Sequence, residues 1–209
     1  MLEQIREAVL TGDLDASADL VKQALEDGHE PASVLNEALI PAMDVVGSEY
    51  ESGIRYIPEM LISAEAMKSA MEVLRPLLAE AGIEPRGRIV LGTVEGDLHD
   101  IGKNLVGMML EGAGFEVIDL GVEVSADQFV AAVREHAPQV VAVSALLTTT
   151  MIYMPIVVKA LEEAGLRAST KIMVGGAPIT QEFADKIGAD GYAPDAPSAA
   201  ALAGRLSDT

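Results

Sequence analysis

The residues best suited to chemistry lie in one short polar segment, "VEGDLHDIGKN", which runs from Val94 to Asn104. It places Asp97 and Asp100 on either side of His99, one of three histidines in the chain. A neutral imidazole binds a transition metal through one ring nitrogen, and an acceptor for the other nitrogen fixes the tautomer. Asp97 could be that acceptor. A histidine between two aspartates is also common on protein surfaces, so the segment by itself indicates only a candidate ligand.

The rest of the composition narrows the choice of metal ligand. The chain has no cysteine, so disulfides and thiolate sites are excluded and a metal would need nitrogen or oxygen donors. The other two histidines lack a comparable setting: His29 lies in the "DGHEP" turn and His136 near the end of a predicted helix. We expect both on the surface.

The charge of the chain is strongly negative, with 33 acidic and 14 basic residues and a net charge of −19. Phosphate backbones would be repelled, so no nucleic acid partner is expected. The acidic surface serves solubility or, alternatively, forms a docking face for basic proteins. No apolar run reaches the roughly 18 residues of a membrane span, and the first residues lack an export signal. The predicted location is cytoplasmic, with no membrane partner.

Hydrophobic periodicity divides the chain into two parts. In residues 1–84, apolar residues recur at spacings of three and four in four segments that are separated by Gly, Asp and Pro. This pattern predicts a four-helix bundle. The segment "GIEPRGR" at 82–88 has the composition of a linker.

The second part, residues 85–209, alternates short runs rich in Val and Ile with segments long enough for helices. The runs are "RIVLGTV", "FEVIDLG", "QVVAVSAL", "KIMVGGAP" and "DGYAPDA". Such alternation predicts a five-stranded parallel, doubly wound sheet of the flavodoxin-like or Rossmann-like kind, covered by helices on both faces.

The ends of the predicted strands place the histidine at a ligand-binding edge. Ligands of open α/β sheets bind beyond the carboxyl ends of the strands. The segments expected there are "TVEGDLHDIG", "SALLTTT", "GGAP" and "GYAPDA". The glycines do not form the dinucleotide motif, and Gly102-Lys103 is followed by Asn104, which rules out a phosphate loop motif. A receiver domain would need an aspartate where Ser144 stands. A flavodoxin-like mononucleotide site stays open on these grounds.

The spacing of three motifs identifies a family. "DLHDIG" has the form D-x-H-x-x-G; 41 residues separate Gly102 from Ser144 of "SAL", and 28 separate Leu146 from Gly175 of "GG". This arrangement resembles the cobalamin-binding domain of corrinoid methyltransferases and mutases. The helical part resembles the cap that accompanies this domain in methyl-transferring members such as cobalamin-dependent methionine synthase. Together they resemble the corrinoid carrier proteins of anaerobic methyltransferase systems over essentially the whole chain.

The resemblance implies a role for three residues. His99 would replace the corrinoid's own lower base and give its imidazole to cobalt, the state called base-off/His-on. Asp97 would accept a hydrogen bond from the ring, and Ser144 would be the next member of the relay. Released from cobalt, His99 could take a proton that Asp97 stabilises.

The same resemblance implies further contacts with the corrinoid. In the cap, Tyr50, Ile57 and Met60 would cover the methyl face, although apolar residues at this spacing are also typical of a bundle core. The remaining positions belong to the binding domain: Leu98, Asp100, Ile101 and Gly102 in the loop, and Leu146, Thr148, Gly175, Gly176, Tyr192 and Ala193 around the nucleotide tail.

The implied function is that of a methyl carrier. A substrate:corrinoid methyltransferase would load the corrinoid, a methylcorrinoid:tetrahydrofolate or thiol methyltransferase would unload it, and a reductive activase would restore the active state. The protein would thus be a non-autonomous subunit of a methyltransferase system. The alternative is a cobalamin-responsive sensor, which the acidic charge and the lack of tryptophan disfavour. The methyl donor could be methanol, a methylamine, a methoxylated aromatic compound or a betaine.

Overall fold

The computed structural model describes residues 1–208, except for the side chain of Glu51. The chain divides into two compact units. One consists of Met1–Arg86 with Glu111–Gly114, and the other of Gly87–Leu110 with the chain from Phe115 onward. The separation of 1–84 and 85–209 into independent domains stays a prediction.

The helical unit begins with short helices that have clear end signals. Gly12 ends α1 in the left-handed region at φ 74°, and the Asp13 side chain caps α2 by accepting a hydrogen bond from the backbone N–H of Ala16. The helices of this unit are α1 (Leu2–Thr11), α2 (Leu14–Glu26), α3 (Pro31–Val34), α4 (Ile40–Glu51) and α5 (Ile57–Glu80).

A π-helical segment, Leu35–Leu39, joins α3 directly to α4. Its last hydrogen bond runs from the N–H of Ile40 to the carbonyl of Leu35. Pro41 follows immediately; it has no N–H, and its ring would collide with a carbonyl of a regular helix. The wider turn accommodates the proline and keeps α3 and α4 in one continuous run, so the bundle has the four helical segments that the sequence predicts.

The loop before α5 is held by one arginine. Arg55 donates from Nε to Glu49 Oε2 at 3.0 Å, and from Nη1 to the Leu10 carbonyl at 2.9 Å and to Ser63 Oγ at 3.0 Å. These contacts connect the end of α1, α4 and α5. The guanidinium group is thereby satisfied although its side chain is only 16% exposed.

The α/β unit is a parallel five-stranded sheet with strand order β2-β1-β3-β4-β5. The central strands β1, β3 and β4 are buried along most of their length, and the edge strand β2 is only partly buried. This agrees with the continuous apolar runs in the sequence. The strands are β1 (Arg88–Thr93), β2 (Glu116–Asp119), β3 (Val140–Ser144), β4 (Lys171–Gly175) and β5 (Gly191–Ala193).

Helices connect the strands in the order required by a doubly wound fold. Val141 and Val143 of β3 pack in one core with Phe129 of the preceding helix and Ile172 of β4. No helix in the described residues is long and apolar enough to cross a bilayer. The helices of the α/β unit are α6 (Ile101–Gly112), α7 (Ala126–His136), α8 (Met154–Glu163), α9 (Gln181–Ile187) and α10 (Ala196–Ser207), with a 3₁₀ turn at Met151–Tyr153.

Candidate functional site

The strand order changes direction beside β1. This strand pairs with β2 on one side and with β3 on the other, so the carboxyl ends of β1 and β3 flank the switch point. The loop that carries His99 follows β1, and Ser144 ends β3 directly opposite Thr93. The structure therefore brings the D-x-H-x-x-G and S-x-L segments together.

Asp97 is the centre of the site. Its side chain is fully buried, and each carboxylate oxygen accepts two hydrogen bonds. Oδ1 accepts from Nδ1 of His99 at 2.6 Å and from the His99 backbone N–H at 3.1 Å. Oδ2 accepts from Oγ1 of Thr150 at 2.6 Å and from the Leu146 backbone N–H at 2.8 Å. Asp97 thus joins the loop after β1 to the loop after β3.

These contacts determine the charge of Asp97. Burial by itself raises the pKa of the carboxyl group, but the hydrogen bonds from Thr150, Leu146 and His99 outweigh it and hold the pKa well below its usual range. Asp97 is therefore a buried carboxylate at neutral pH. Its charge faces the histidine ring at a distance of 2.6 Å.

His99 is held at its base and open at its tip. The carboxylate can only accept, so Nδ1 carries a proton toward Asp97 and the neutral ring presents an unprotonated Nε2. The Thr93 hydroxyl donates to the His99 carbonyl at 3.0 Å, which fixes the backbone as well. The side chain is 49% exposed. Nε2 is therefore the nitrogen that a metal could use.

The hydroxyl group that continues the network is that of Thr150. The sequence predicts Ser144 in this role, but within the described residues the Ser144 side chain makes no hydrogen bond to Asp97. Ser144 lies in the sheet, paired with Thr93 and Gly175, whereas the chain turns back after it and buries Thr150 beneath the loop. Three consecutive threonines after the S-x-L motif were the available signal, and local spacing could not select among them.

The predicted glycines serve different purposes. A Cβ atom on Gly176 would lie 1.9 Å from the Ala145 carbonyl oxygen, and its φ is +127°. One on Gly175 would lie 3.0 Å from the Ala193 carbonyl oxygen. These two glycines permit the close approach of neighbouring backbones. An added Cβ on Gly102 meets nothing within 4 Å. Of the three predicted glycines, Gly102 is therefore the one with open space beside it.

Large apolar side chains are exposed in the loop that carries His99 and directly after β3. Leu98 is 67% exposed, Ile101 84% and Leu146 42%. Large apolar residues exposed together are uncommon on the surface of a protein that binds nothing. They offer a surface for a ligand that is wide and largely apolar.

The remaining predicted positions of the α/β unit are distributed around the same edge. Asp100 and Thr148 are exposed, Tyr192 is half-buried and Ala193 is buried at the end of β5. β5 pairs with β4 through Gly175 and Ala193, so these two positions are neighbours. Ala193 can offer a ligand little beyond its backbone.

The predicted cap residues differ from one another. Ile57 is 48% exposed and Met60 only 1%, while Tyr50 is half-buried. Met60 lies in the first turn of α5 on the side that faces the bundle interior. In this structure it therefore occupies the core position that the sequence left as an alternative, and Ile57 is the residue available for contact.

The residues at this edge fit a corrinoid. His99 supplies one nitrogen donor, and no group of three His, Asp or Glu side chains in the described part of the chain could hold a metal ion. A corrin ring brings four nitrogen donors of its own, so one protein nitrogen on its lower face is sufficient. The exposed apolar rim and the open space at Gly102 suit a large macrocycle.

Comparison with known proteins agrees with this geometry. Family profiles described as B12 binding domain match residues 1–75 and 87–201. A corrinoid protein of Desulfitobacterium hafniense is 42% identical over 99% of this chain and 97% of its own length. Trimethylamine corrinoid protein 1 of Methanosarcina acetivorans is 41% identical, covering 92% of this chain and 90% of its own.

Solved structures show the same likeness over both units. A chain of the methanol:cobalamin methyltransferase complex from Methanosarcina barkeri matches 99% of this chain and 79% of its own length, with 31% identity and a TM-score of 0.88. A cobalamin-binding protein from Desulfitobacterium hafniense matches 99% of this chain and 98% of its own, with 33% identity and a TM-score of 0.82. The chain therefore belongs to the corrinoid proteins of methyltransferase systems.

Proposed function

We propose that this protein carries a methyl group on a corrinoid that is bound base-off, with His99 as the lower axial ligand. The observation that carries the proposal is the Asp97–His99 pair, in which the 2.6 Å contact at Nδ1 leaves Nε2 free at the edge of the sheet. When bound, the corrinoid supplies a cobalt ion that accepts a methyl group from one enzyme and releases it to another. The protein's residues hold, shield and tune that ion.

The protein supplies a place for a proton that depends on ligation. With Nε2 occupied by a metal, the ring is neutral and its Nδ1 proton remains on the hydrogen bond to Asp97. With Nε2 free, this atom can take a proton from water, and the buried carboxylate then pairs with an imidazolium ion. The Thr150 hydroxyl and the Leu146 N–H keep the carboxylate from taking the proton itself.

We also propose the partners. A substrate-specific methyltransferase would transfer a methyl group to the corrinoid, and a methyltransferase acting on a thiol or tetrahydrofolate would remove it. A reductive activase would restore the corrinoid to its active oxidation state. The likeness to a chain of the methanol:cobalamin methyltransferase complex from Methanosarcina barkeri supports the first partner. A relative named for trimethylamine is 41% identical to this chain, and one named for dimethylamine is 42% identical. Sequence identity therefore does not select the methyl donor. Such a relay would work in the cytoplasm.

Isotope labelling tests the ligation directly. Protein grown with ¹⁵N-histidine and protein of natural abundance would each be loaded with cob(II)alamin and compared by electron paramagnetic resonance. We expect the nitrogen splitting of the cobalt signal to change from a triplet to a doublet on labelling, because the axial nitrogen then comes from the protein. A triplet in both samples would mean that the cofactor keeps its own base and would overturn the proposal.

A His99→Ala variant is the matched control. It should keep part of its affinity for cob(II)alamin through the glycine-lined segments but lose the label-dependent splitting. His136→Ala should behave like the parent protein, since His136 is the last residue of α7 and lies away from the carboxyl ends of the strands. If His99→Ala retained the doublet in labelled protein, another histidine would be the ligand.

A further inference from the structure

Lys103 is buried in the α/β unit without a part in the site described so far. Its side chain is 2% exposed, and lysine is rarely buried to this extent unless it is paired. It also lies in the first turn of α6, where the helix dipole disfavours a positive charge. Two unfavourable placements in one residue call for a compensating interaction.

The compensation comes from the end of β2. Lys103 Nζ forms a salt bridge with Oδ2 of Asp119, the last residue of β2, and donates to Oδ1 of Asn104 at 2.6 Å. The other carboxylate oxygen of Asp119 accepts from the Gly121 N–H at 2.8 Å. The lysine is thus tied to a residue that the sheet and the following turn already hold in place.

Asn104 continues the connection toward the histidine. Its Nδ2 donates to Oδ2 of Asp100 at 3.2 Å, and its backbone N–H donates to the Asp100 carbonyl at 2.7 Å. Because Lys103 is purely a donor, it requires the oxygen of the Asn104 amide on its side. The amide nitrogen must then face Asp100, the residue directly after His99.

We propose that Lys103 is a positioning residue for the axial histidine, acting through Asn104 and Asp100. This inference rests on the proposed ligation by His99. Asp97 fixes the ring and the backbone on the N-terminal side of the loop, and the series Asp119, Lys103, Asn104 and Asp100 fixes the C-terminal side. A ligand nitrogen placed by one side only would spend more of its time away from the metal.

The test compares variants of the full chain loaded with cob(II)alamin. Lys103→Met keeps the length of the side chain and leaves a carboxylate that water can reach, since Asp119 is 42% exposed. Asn104→Ala removes the link at an exposed position; Lys103 loses one acceptor but keeps its ion pair with Asp119. Arg167→Met is the matched control, because Arg167 forms a similar ion pair with Asp190 in the same unit, far along the chain from the loop.

The readout is the ratio of histidine-ligated to unligated bound corrinoid, taken from the ¹⁵N-dependent splitting, alongside the melting temperature. Lys103→Met and Asn104→Ala should each lower this ratio, by about tenfold for the lysine if it contributes one charge-assisted hydrogen bond. Arg167→Met should lower the melting temperature and leave the ratio unchanged.

Three results would overturn the inference. The ratio could stay at the parent value in Asn104→Ala, the variant that keeps the ion pair between Lys103 and Asp119. It could fall equally in Arg167→Met, which would mean that general loosening is the cause. Finally, the parent protein itself could lack the label-dependent splitting, in which case the ligation by His99 fails and the positioning role fails with it.

Discussion

The loop after β1 and the loop before α5 each keep one charged side chain out of solvent, and they differ in what they expose. In the first, Asp97 is fully buried and accepts four hydrogen bonds. In the second, the Arg55 side chain is 16% exposed and donates to groups on three helices. The first loop exposes a nitrogen of His99. The second exposes apolar side chains: Ile54 at 71%, Tyr56 at 69% and Ile57 at 48%.

The difference concerns how accurately each loop must be placed. The proposed metal ligand, His99, requires one atom in one position, and Asp97 contacts its ring directly. The apolar cover that the sequence predicts in the helical unit would work through area, so Arg55 needs only to hold the backbone of that loop. Asp97 therefore acts on the proposed ligand itself, while Arg55 acts at a distance from the exposed side chains.

The largest effect on stability is expected from Asp97→Ala. Removing the carboxylate leaves the Leu146 N–H without its acceptor and the Thr150 hydroxyl with only the Leu147 carbonyl at 3.1 Å. The ring and backbone N–H groups of His99 also lose their acceptor, and each such loss costs about 1 to 3 kcal/mol. We expect the free energy of unfolding to fall by about 4 kcal/mol in urea titrations of the protein without cofactor.

Asp100→Ala is the control in the same loop. Asp100 is exposed and should change stability by less than about 0.5 kcal/mol. A loss below about 1 kcal/mol for Asp97→Ala would show that water replaces the four contacts, and the description of the loop as held by one buried carboxylate would then be wrong.

Met60 and Ile57 test which residues in the first turn of α5, directly after the second loop, form the exposed surface. Met60 is 1% exposed, and truncating a buried methionine to alanine costs about 3 kcal/mol through lost contacts and the cavity left behind. Ile57→Ala at a half-exposed position should cost less than about 1 kcal/mol. Thermal unfolding of the two variants measures the contrast; equal losses would mean that both side chains belong to the bundle core.

The charge of Asp97 predicts a dependence on pH. A carboxyl group with a lowered pKa in the folded state stabilises the protein above the pKa of the unfolded chain, which is about 4. This contribution is lost as the pH falls from about 4 toward the folded pKa. The parent protein should therefore exceed Asp97→Asn by about 2 kcal/mol at pH 7, and the difference should shrink below about pH 4.

Urea titrations of both proteins from neutral to acidic pH measure this difference. Thr150→Val, which removes one donor and keeps the volume similar, should show the same trend with a smaller amplitude. A difference that stays constant across the acidic range would show that folding does not lower the pKa of this carboxyl group.

A smaller effect than that of Asp97→Asn is expected from Arg55→Met, at about 1.5 kcal/mol. The variant keeps most of the apolar stem but removes the hydrogen bonds that Arg55 donates to Glu49 and to Ser63 Oγ. The Leu10 carbonyl keeps one donor, the Ser63 hydroxyl at 3.2 Å. Lys22→Met is the control, because the Lys22 side chain is 56% exposed in its ion pair with Asp19 and such pairs contribute about 0 to 1 kcal/mol. Similar values for both variants would show that Arg55 does not anchor its loop.

Much of the fold could be predicted because it depends on patterns that are short in sequence. The change from helical to strand-like periodicity near residue 85 indicates a bundle followed by a parallel sheet. The continuous apolar runs of β1, β3 and β4 match strands that are buried on both faces. The π-helical turn before Pro41 could not be predicted from hydrophobic periodicity. One extra residue in a single turn changes the spacing of the apolar residues too little to be detected.

The sequence by itself determined the parts of the site that lie close together along the chain. Asp97 and His99 are two residues apart, so their hydrogen bond forms within one loop, and the glycines mark where backbones approach closely. The tertiary structure decided the remainder. Thr150 lies 53 residues from Asp97 and is chosen over Ser144 only when β3 and its loop are placed beside β1. Lys103 finds Asp119 across the end of β2, and Met60 turns into the bundle although Ile57 does not. The contacts of Thr150 and Lys103 join residues that are far apart along the chain, and the position of Met60 depends on which face of its helix is buried. Neither kind of information is contained in a short sequence pattern.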